Sequence, residues 1–269
     1  LYGCIANVSI GDLFLSGLGI GATMCIVMMI VVRFMSKKRG YAPLRTTRVS
    51  GKEWIAATKP AILPLCLPII IIGGIRIGLF TATKAGAVAI IYAILLGIIF
   101  REMRWSDLKQ GLKETVCTTS SIMLIVAAAC VFSWVLTKER IPQQLTEWIV
   151  STIDNKYIFL LVVNIFLIIV GMFIEGNASM IILVPLLHPI ALEYGINEIH
   201  FAMTYIFNNA IGAISPPMGT LMFVTCGITG CKTGKFIREA VPFYIMLLGI
   251  LLLITYVPWV STGLLTLFG

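Results

Sequence analysis

Asn208-Asn209-Ala210-Ile211-Gly212-Ala213-Ile214-Ser215-Pro216-Pro217-Met218-Gly219-Thr220 interrupts an apolar passage that otherwise runs over 200–229. Proline has no N–H, and the residue before it is pushed out of helical geometry. In an unbroken α-helix the amides of residues 216 and 217 would bond the carbonyls of 212 and 213. Consecutive prolines therefore remove the usual donors of Gly212 and Ala213 in the middle of a hydrophobic stretch. A carbonyl left bare in hydrocarbon costs several kcal/mol, so something must satisfy it. Two answers are open. One is a proline kink satisfied by neighbouring groups or water. The other is a dehydrated Na⁺, which broken-helix transporters hold with unwound carbonyls and helix C-terminal ends.

The surroundings make the passage a membrane one. Of 269 residues, 59% are apolar and 12% charged, with mean hydropathy +1.00. Soluble domains are about a quarter charged, so an ordinary globular core is excluded. Apolar runs fall near 1–10, 13–35, 61–80, 85–100, 115–136, 157–174, 178–193, 200–229 and 241–262. Several reach the roughly 18 residues that cross a bilayer core. The chain begins at Leu1, inside what reads as the end of a hydrophobic segment, and the expectation is that an N-terminal portion precedes it.

The net charge of +8 does not point to nucleic acid, because Lys and Arg sit in short clusters between apolar runs. Such clusters orient membrane proteins by their bias to the cytoplasmic side. With 33–59 inside and 157–193 entering and returning on the outer face, the inner loops hold 15 basic residues and the outer ones 5. The C-terminus is then periplasmic. The seven cysteines form no Cys-x-x-Cys pair and read as apolar packers.

The second interruption is Gly171-Met172-Phe173-Ile174-Glu175-Gly176-Asn177-Ala178-Ser179, the tip of that hairpin. Asn177 reads as the N-cap of the returning arm. Another half-helix with the same polarity begins at Thr220. Two helix N-termini near the midplane suit a carboxylate ligand. Glu175 is either a functional intramembrane acid or a solvated tip residue. Lys138 ends a passage on the side of the hairpin feet, and either attracts an anion or marks the boundary. His188 and His200 flank the outer connection and read as interfacial. Asn208 and Asn209 cap or pack one turn before the break, or support an ion. Polar stretches after Trp105 and Lys232, and over 142–153, read as amphipathic surface helices or plain loops.

An intramembrane enzyme would need a nucleophile–base pair or a metal cluster, and neither Gly-x-Ser-x-Gly nor His-Glu-x-x-His occurs. The expectation is therefore a non-enzyme. The remaining alternatives to a carboxylate transporter are an ion antiporter or an anion channel built on a related broken-helix plan.

The run Asn208 through Gly219, the tip Gly171 through Ser179 and the turn Phe80-Thr81-Ala82-Thr83 together resemble the large membrane subunit of tripartite ATP-independent periplasmic (TRAP) transporters. The resemblance covers essentially the whole chain and looks like the C-terminal two thirds of such a subunit. It implies an all-α polytopic membrane protein of elevator type, with inverted repeats, a re-entrant hairpin and a broken helix. It divides the chain into the end of a first broken helix (1–11), scaffold helices with a basic cytoplasmic loop at 36–59 (12–113), a transport part with hairpin 157–193 and broken helix 200–229 (114–231), and an amphipathic arm with the last transmembrane helix (232–269). It further implies Na⁺-coupled uptake of sialic acid, another sugar acid or a C4-dicarboxylate across the bacterial inner membrane. The implied partners are a small membrane subunit and a periplasmic substrate-binding protein. Carried over by motif, Na⁺ falls at Gly171, Gly212, Ser215 and Met218, and substrate near Glu175, Asn177, Ser179, Lys138 and Thr220. The turn departs from the usual Thr-Pro-Thr-Glu, since Thr81-Ala82-Thr83-Lys84 puts a base where the acid stands.

Overall fold

The computed structural model describes the backbone of residues 1–41, 50–217 and 219–268. Part of the expected basic loop (42–49) and the expected Na⁺ ligand Met218 lie outside the described residues. Every regular element among those described is helical. Seven of these helices are long and apolar enough to cross a membrane, and they leave large side chains such as Leu124 and Ile69 exposed. The chain is an all-α polytopic membrane protein.

It divides into two compact units, Ser36–Ser120 and the combination of Leu1–Met35 with Ser121–Gly269. The first contains most of α3 (Gly51–Arg76) and α4 (Ala82–Ile99). These pack as a pair around a turn in which Gly78 takes φ +77°. Tyr92 Oη donates to the Leu63 carbonyl at 2.7 Å, fastening α4 to α3 between Pro60, Pro64 and Pro68.

The second unit is built around α9 (Glu198–Ile214), whose buried residues run along almost its whole length. Two preceding helices form the hairpin: α7 (Lys156–Phe173) and α8 (Gly176–Glu193). Each has 18 residues, or about 27 Å of rise. Phe159, near the start of α7, stacks on Tyr194, at the end of α8, with ring centroids 4.6 Å apart, so the arms return to a common foot. Against this frame α9 runs alongside α7, pairing Asn164 with Asn208 and Gly171 with Gly212. It opposes α8, pairing Gly176 with Asn209 and Ser179 with Tyr205. The short α1 (Tyr2–Ala6) ends at Asn7 in left-handed geometry and leads into α2 (Ile10–Arg39). Fully buried Tyr2 binds α1 to α8 by a 2.9 Å hydrogen bond to His188 Nδ1.

Beyond the break come α10 (Thr220–Thr229), α11 (Thr233–Tyr256) and α12 (Pro258–Phe268). The polar stretch after Lys232 is the first part of α11, and the one after Trp105 opens α5 (Trp105–Lys138). Both therefore continue into the following span and are not separate surface helices. Residues 142–153 do form a distinct short helix, α6 (Ile141–Thr152). Its end is held at the hairpin foot, where Tyr194 Oη lies 2.6 Å from the Ile153 carbonyl and 3.2 Å from that of Ile149.

The two histidines, read as flanking the outer connection, are buried inside the protein. His188 and His200 are 7% and 3% exposed and hydrogen-bonded to residues distant in sequence. His200 belongs to a buried seam through the unit: Asn208 Nδ2 donates to the Asn164 carbonyl and side-chain oxygens, and Asn164 Nδ2 donates to Thr255 Oγ1 at 2.8 Å. Pairing permits these groups at 0–2% exposure, with Asn208 Oδ1 the buried side-chain oxygen that finds no partner among the described residues. Replacing Asn164 by Leu strands the Asn208 amide, which is expected to destabilise by about 1–3 kcal/mol. Thr255→Val, which deletes one acceptor, is expected to cost less, and thermal unfolding of the purified protein in detergent measures both.

Candidate functional site

The break and the hairpin tip meet. A Cβ added to Gly212 would lie 2.6 Å from Gly171 Cα and 3.0 Å from the Gly171 carbonyl oxygen, so the two backbones touch with no room for any side chain. Asn209, one turn before the break, reaches over the turn and donates its Nδ2 to the Gly176 carbonyl at 3.0 Å. At 7% exposure it is a buried pin between α9 and the start of α8. Sequence reasoning noted it only as a residue that caps, packs or supports an ion.

The polar backbone at this junction is only partly paired. At the end of α7 the Ile174 N–H takes the Val170 carbonyl. The carbonyls of Gly171, Met172 and Phe173 accept no backbone N–H from the described residues. On α9 the Ser215 N–H is shared between Ile211 and Gly212, at 3.1 and 3.0 Å, and Tyr244 Oη serves Ile214 at 2.8 Å. The Gly212 carbonyl, expected to be stripped of donors, thus recovers a shared one. The Ala213 carbonyl receives none from the described residues. Gly219 folds back so that its N–H bonds the Ser215 carbonyl at 3.0 Å, and an added Cβ there would lie 2.6 Å from that same oxygen. The Pro216–Pro217 bond is cis.

A space of about 30 Å³ lies at this junction, bordered by Gly171, Phe173, Glu175, Gly176 and Ala213. That exceeds the roughly 10–15 Å³ needed for one water. Gly171, Met172, Phe173 and Ala213, whose carbonyls take no backbone N–H from the described residues, are among the residues around it, and a carbonyl oxygen with free lone pairs is a donor for a small hard cation. Ser215 Oγ donates to the Ile211 carbonyl at 2.7 Å and likewise keeps acceptor capacity. A larger crevice of about 580 Å³ between α1, α5 and α8 is lined by Cys4, Val126, Trp134, Ile181 and Pro185. It lacks the polar groups that would orient a carboxylate.

The N-cap of α8 is Glu175, not Asn177. Its carboxylate accepts from the amides of Asn177 and Ala178 at 3.0 and 3.2 Å, while Asn177 Nδ2 braces the other oxygen at 2.9 Å. The α8 N-terminus is therefore closed by its own acid. At α10 the N-cap is Gly219, which brings no side chain, so the amides opened by Thr220 stay free of a side-chain cap. Ser179 is buried at 2% and its hydroxyl meets Tyr205 Oη at 3.0 Å, inside the α8–α9 contact. Lys138 is exposed, with its ammonium 5.2 Å from the Trp134 ring, and makes no recorded contact with the tip. The structure thus brings together Gly171, Glu175, Asn177, Gly212 and Ser215; Ser179 follows in the same turn of α8, its N–H on the Glu175 carbonyl at 2.9 Å and its hydroxyl on Tyr205.

Residues 1–260 match the family described as "Tripartite ATP-independent periplasmic transporter, DctM component". The chain belongs to that family. It is 38% identical over 265 residues to the C4-dicarboxylate TRAP transporter large permease protein DctM of Pseudomonas aeruginosa, covering 98% of this chain and 62% of that protein. It is 38% identical over 259 residues to the sialic acid TRAP transporter large permease protein SiaM of Vibrio cholerae, covering 96% and 60%. With the C4-dicarboxylate large permease DctM of Vibrio cholerae it shares 35% over 290 residues, covering 99% and 63%. The chain spans about three fifths of the length of these relatives.

Asn209→Leu removes the pin to Gly176 at similar volume. Amide hydrogen exchange across 174–178 is expected to accelerate, while exchange within α11 stays unchanged.

Proposed function

We propose that this chain forms the part of a TRAP large permease that binds Na⁺ and a small organic carboxylate and carries them inward across the bacterial inner membrane. The observation that carries the reading is the junction itself. Unpartnered carbonyls of α7 and α9 border an ion-sized space at the contact of Gly171 with Gly212. Water and a desolvated cation are the groups that satisfy such oxygens at membrane depth, and coupling transport to Na⁺ uses the second.

The anion is placed by charge. Cation binding at the junction offsets the negative oxygens, and the uncapped N-terminus of α10 supplies free amides for a carboxylate. Glu175 acts by holding the turn through its cap, keeping Gly171 and Gly176 in register with α9. The relatives named for C4-dicarboxylates and sialic acid indicate the substrate class. In this reading 114–231 moves as the transport part of an elevator against the scaffold helices of 12–113. A periplasmic binding protein delivers the acid, a small membrane subunit braces the scaffold, and the C-terminus is periplasmic.

The test is uptake of labelled acids by the full-length transporter and its partners in proteoliposomes, with and without an inward Na⁺ gradient. Accumulation of a C4-dicarboxylate or sialic acid only with the gradient is expected. Flux indifferent to Na⁺ would indicate a channel and overturn the reading. Ser215→Ala and Glu175→Gln each remove about one hydrogen bond's worth of support, near 1 kcal/mol. Each should raise the Na⁺ concentration for half-maximal uptake roughly fivefold. Unchanged sodium dependence in both variants removes the site assignment.

A further inference from the structure

The buried seam around His200 contains more hydrogen-bond contacts than a neutral ring can supply with protons. His200 Nε2 lies 3.2 Å from the Thr255 carbonyl, Nδ1 lies 2.8 Å from Ser261 Oγ, and Ser261 Oγ lies 2.9 Å from the Pro258 carbonyl. Both carbonyls can only accept. The Thr255 contact therefore fixes a proton on Nε2, and the Pro258 contact takes the single hydroxyl proton of Ser261. The remaining contact, between Nδ1 and Ser261 Oγ, then needs a proton of its own. A neutral imidazole and one hydroxyl hold two protons for three contacts, whereas an imidazolium and the same hydroxyl hold three.

Both charge states nevertheless fit without moving a heavy atom. When the ring is neutral, the Ser261 hydroxyl turns to donate to Nδ1, and the Pro258 carbonyl keeps its other donor, Thr262 Oγ1 at 2.8 Å. When the ring is charged, Nδ1–H donates to Ser261 Oγ and the hydroxyl turns back to Pro258. The proton is gained or lost at Nδ1 with rotation of one hydroxyl: the His200–Ser261 bond between α9 and α12 is kept, charge-assisted and therefore stronger with the proton on, and one hydrogen bond is added within α12. The Thr255 carbonyl belongs to the last turn of α11, where the helix dipole favours a cation. Ser16 on α2 closes the far side by donating to the Ser261 carbonyl.

Glu198, two residues earlier on α9, acts on Tyr2 and His188. The groups recorded against the ring are Thr255 from α11 and Ser261 from α12, both uncharged. The ring is connected through Thr255 and Asn164 to Asn208, four residues before Gly212.

We propose that His200 is a proton-binding site whose occupancy tightens the joint between α9 and α12 and thereby sets the transport rate. The site itself stands on the geometry above, while its effect on rate rests on the transport reading. Two measurements separate the two. The first is imidazole ¹⁵N NMR of the purified full-length transporter with labelled histidine. One resonance absent from His200→Gln is expected to take up a proton as the pH is lowered from about 8 to about 5, below the ordinary histidine range because burial disfavours the charged ring. A His200 signal that stays neutral across that range overturns the site.

The second is uptake at a fixed Na⁺ gradient and saturating acid over the same pH range. A one-proton step of at least about twofold is expected in the wild type and in His188→Gln, and a flat profile in His200→Gln. Ser261→Ala, which removes the acceptor for Nδ1–H, is expected to move the step to lower pH. A step that survives in His200→Gln, or titration by NMR with a flat wild-type uptake profile, overturns the control of rate. Wild-type vesicles that fail to accumulate any acid would count against the transport reading alone, since the NMR titration still reports the proton site.

Discussion

A backbone carbonyl inside hydrocarbon has to find a partner, and the second unit of this protein is organised by how that requirement is met and where it is left open. Most of the chain meets it by remaining helical. Three of the helix ends where it stops being so lie together, where α7 ends, α8 begins and α9 breaks. Two glycines allow these ends to approach until backbone touches backbone, which concentrates the unpaired oxygens of separate helices on one small space. Spread along lipid-facing surfaces, the same oxygens would be a cost with no return.

The rest of the unit reads as a brace for that junction. Asn209 pins the turn, the Glu175 carboxylate closes the first turn of α8, and Tyr244 takes the Ile214 carbonyl that the break exposes. Behind them, Tyr2 with His188 and Ser179 with Tyr205 fasten α1 and α8 to the central helix. Asn164, Thr255 and His200 do the same for α7 and α11. All but the local Glu175 cap join positions far apart in sequence, so the tip is held largely by tertiary contacts, as expected where isolated half-helices would be too short to persist alone.

Much of the plan was legible because prolines and apolar runs act locally. Ser215-Pro216-Pro217 ends α9 wherever it is placed, and a pair of 18-residue apolar arms separated by a polar tip reads as a hairpin. The errors arose where the deciding partner lies elsewhere in the chain. His200 beside an uncharged connection looks interfacial until Thr255 and Ser261, 55 and 61 residues later, are found around its ring. Asn177 and Glu175 are both competent caps. The choice went to Glu175 because its extended backbone, φ −62° and ψ 141°, places its carboxylate over the amides of Asn177 and Ala178. Local amphipathicity after Trp105 and Lys232 was real, but it could not tell a helix lying along the surface from the first turns of one that continues inward. The contact of Gly171 with Gly212 left no trace beyond two glycines, which are common in membrane helices for many reasons.

That contact also limits how the protein can vary. Elsewhere in a packed interior, a bulky replacement can be offset by shaving its neighbour. Here both neighbours are already the smallest residue there is, so neither can compensate for growth in the other. Suppressors of a Gly212 replacement should therefore map to positions that shift a whole helix, and not to the point of touch.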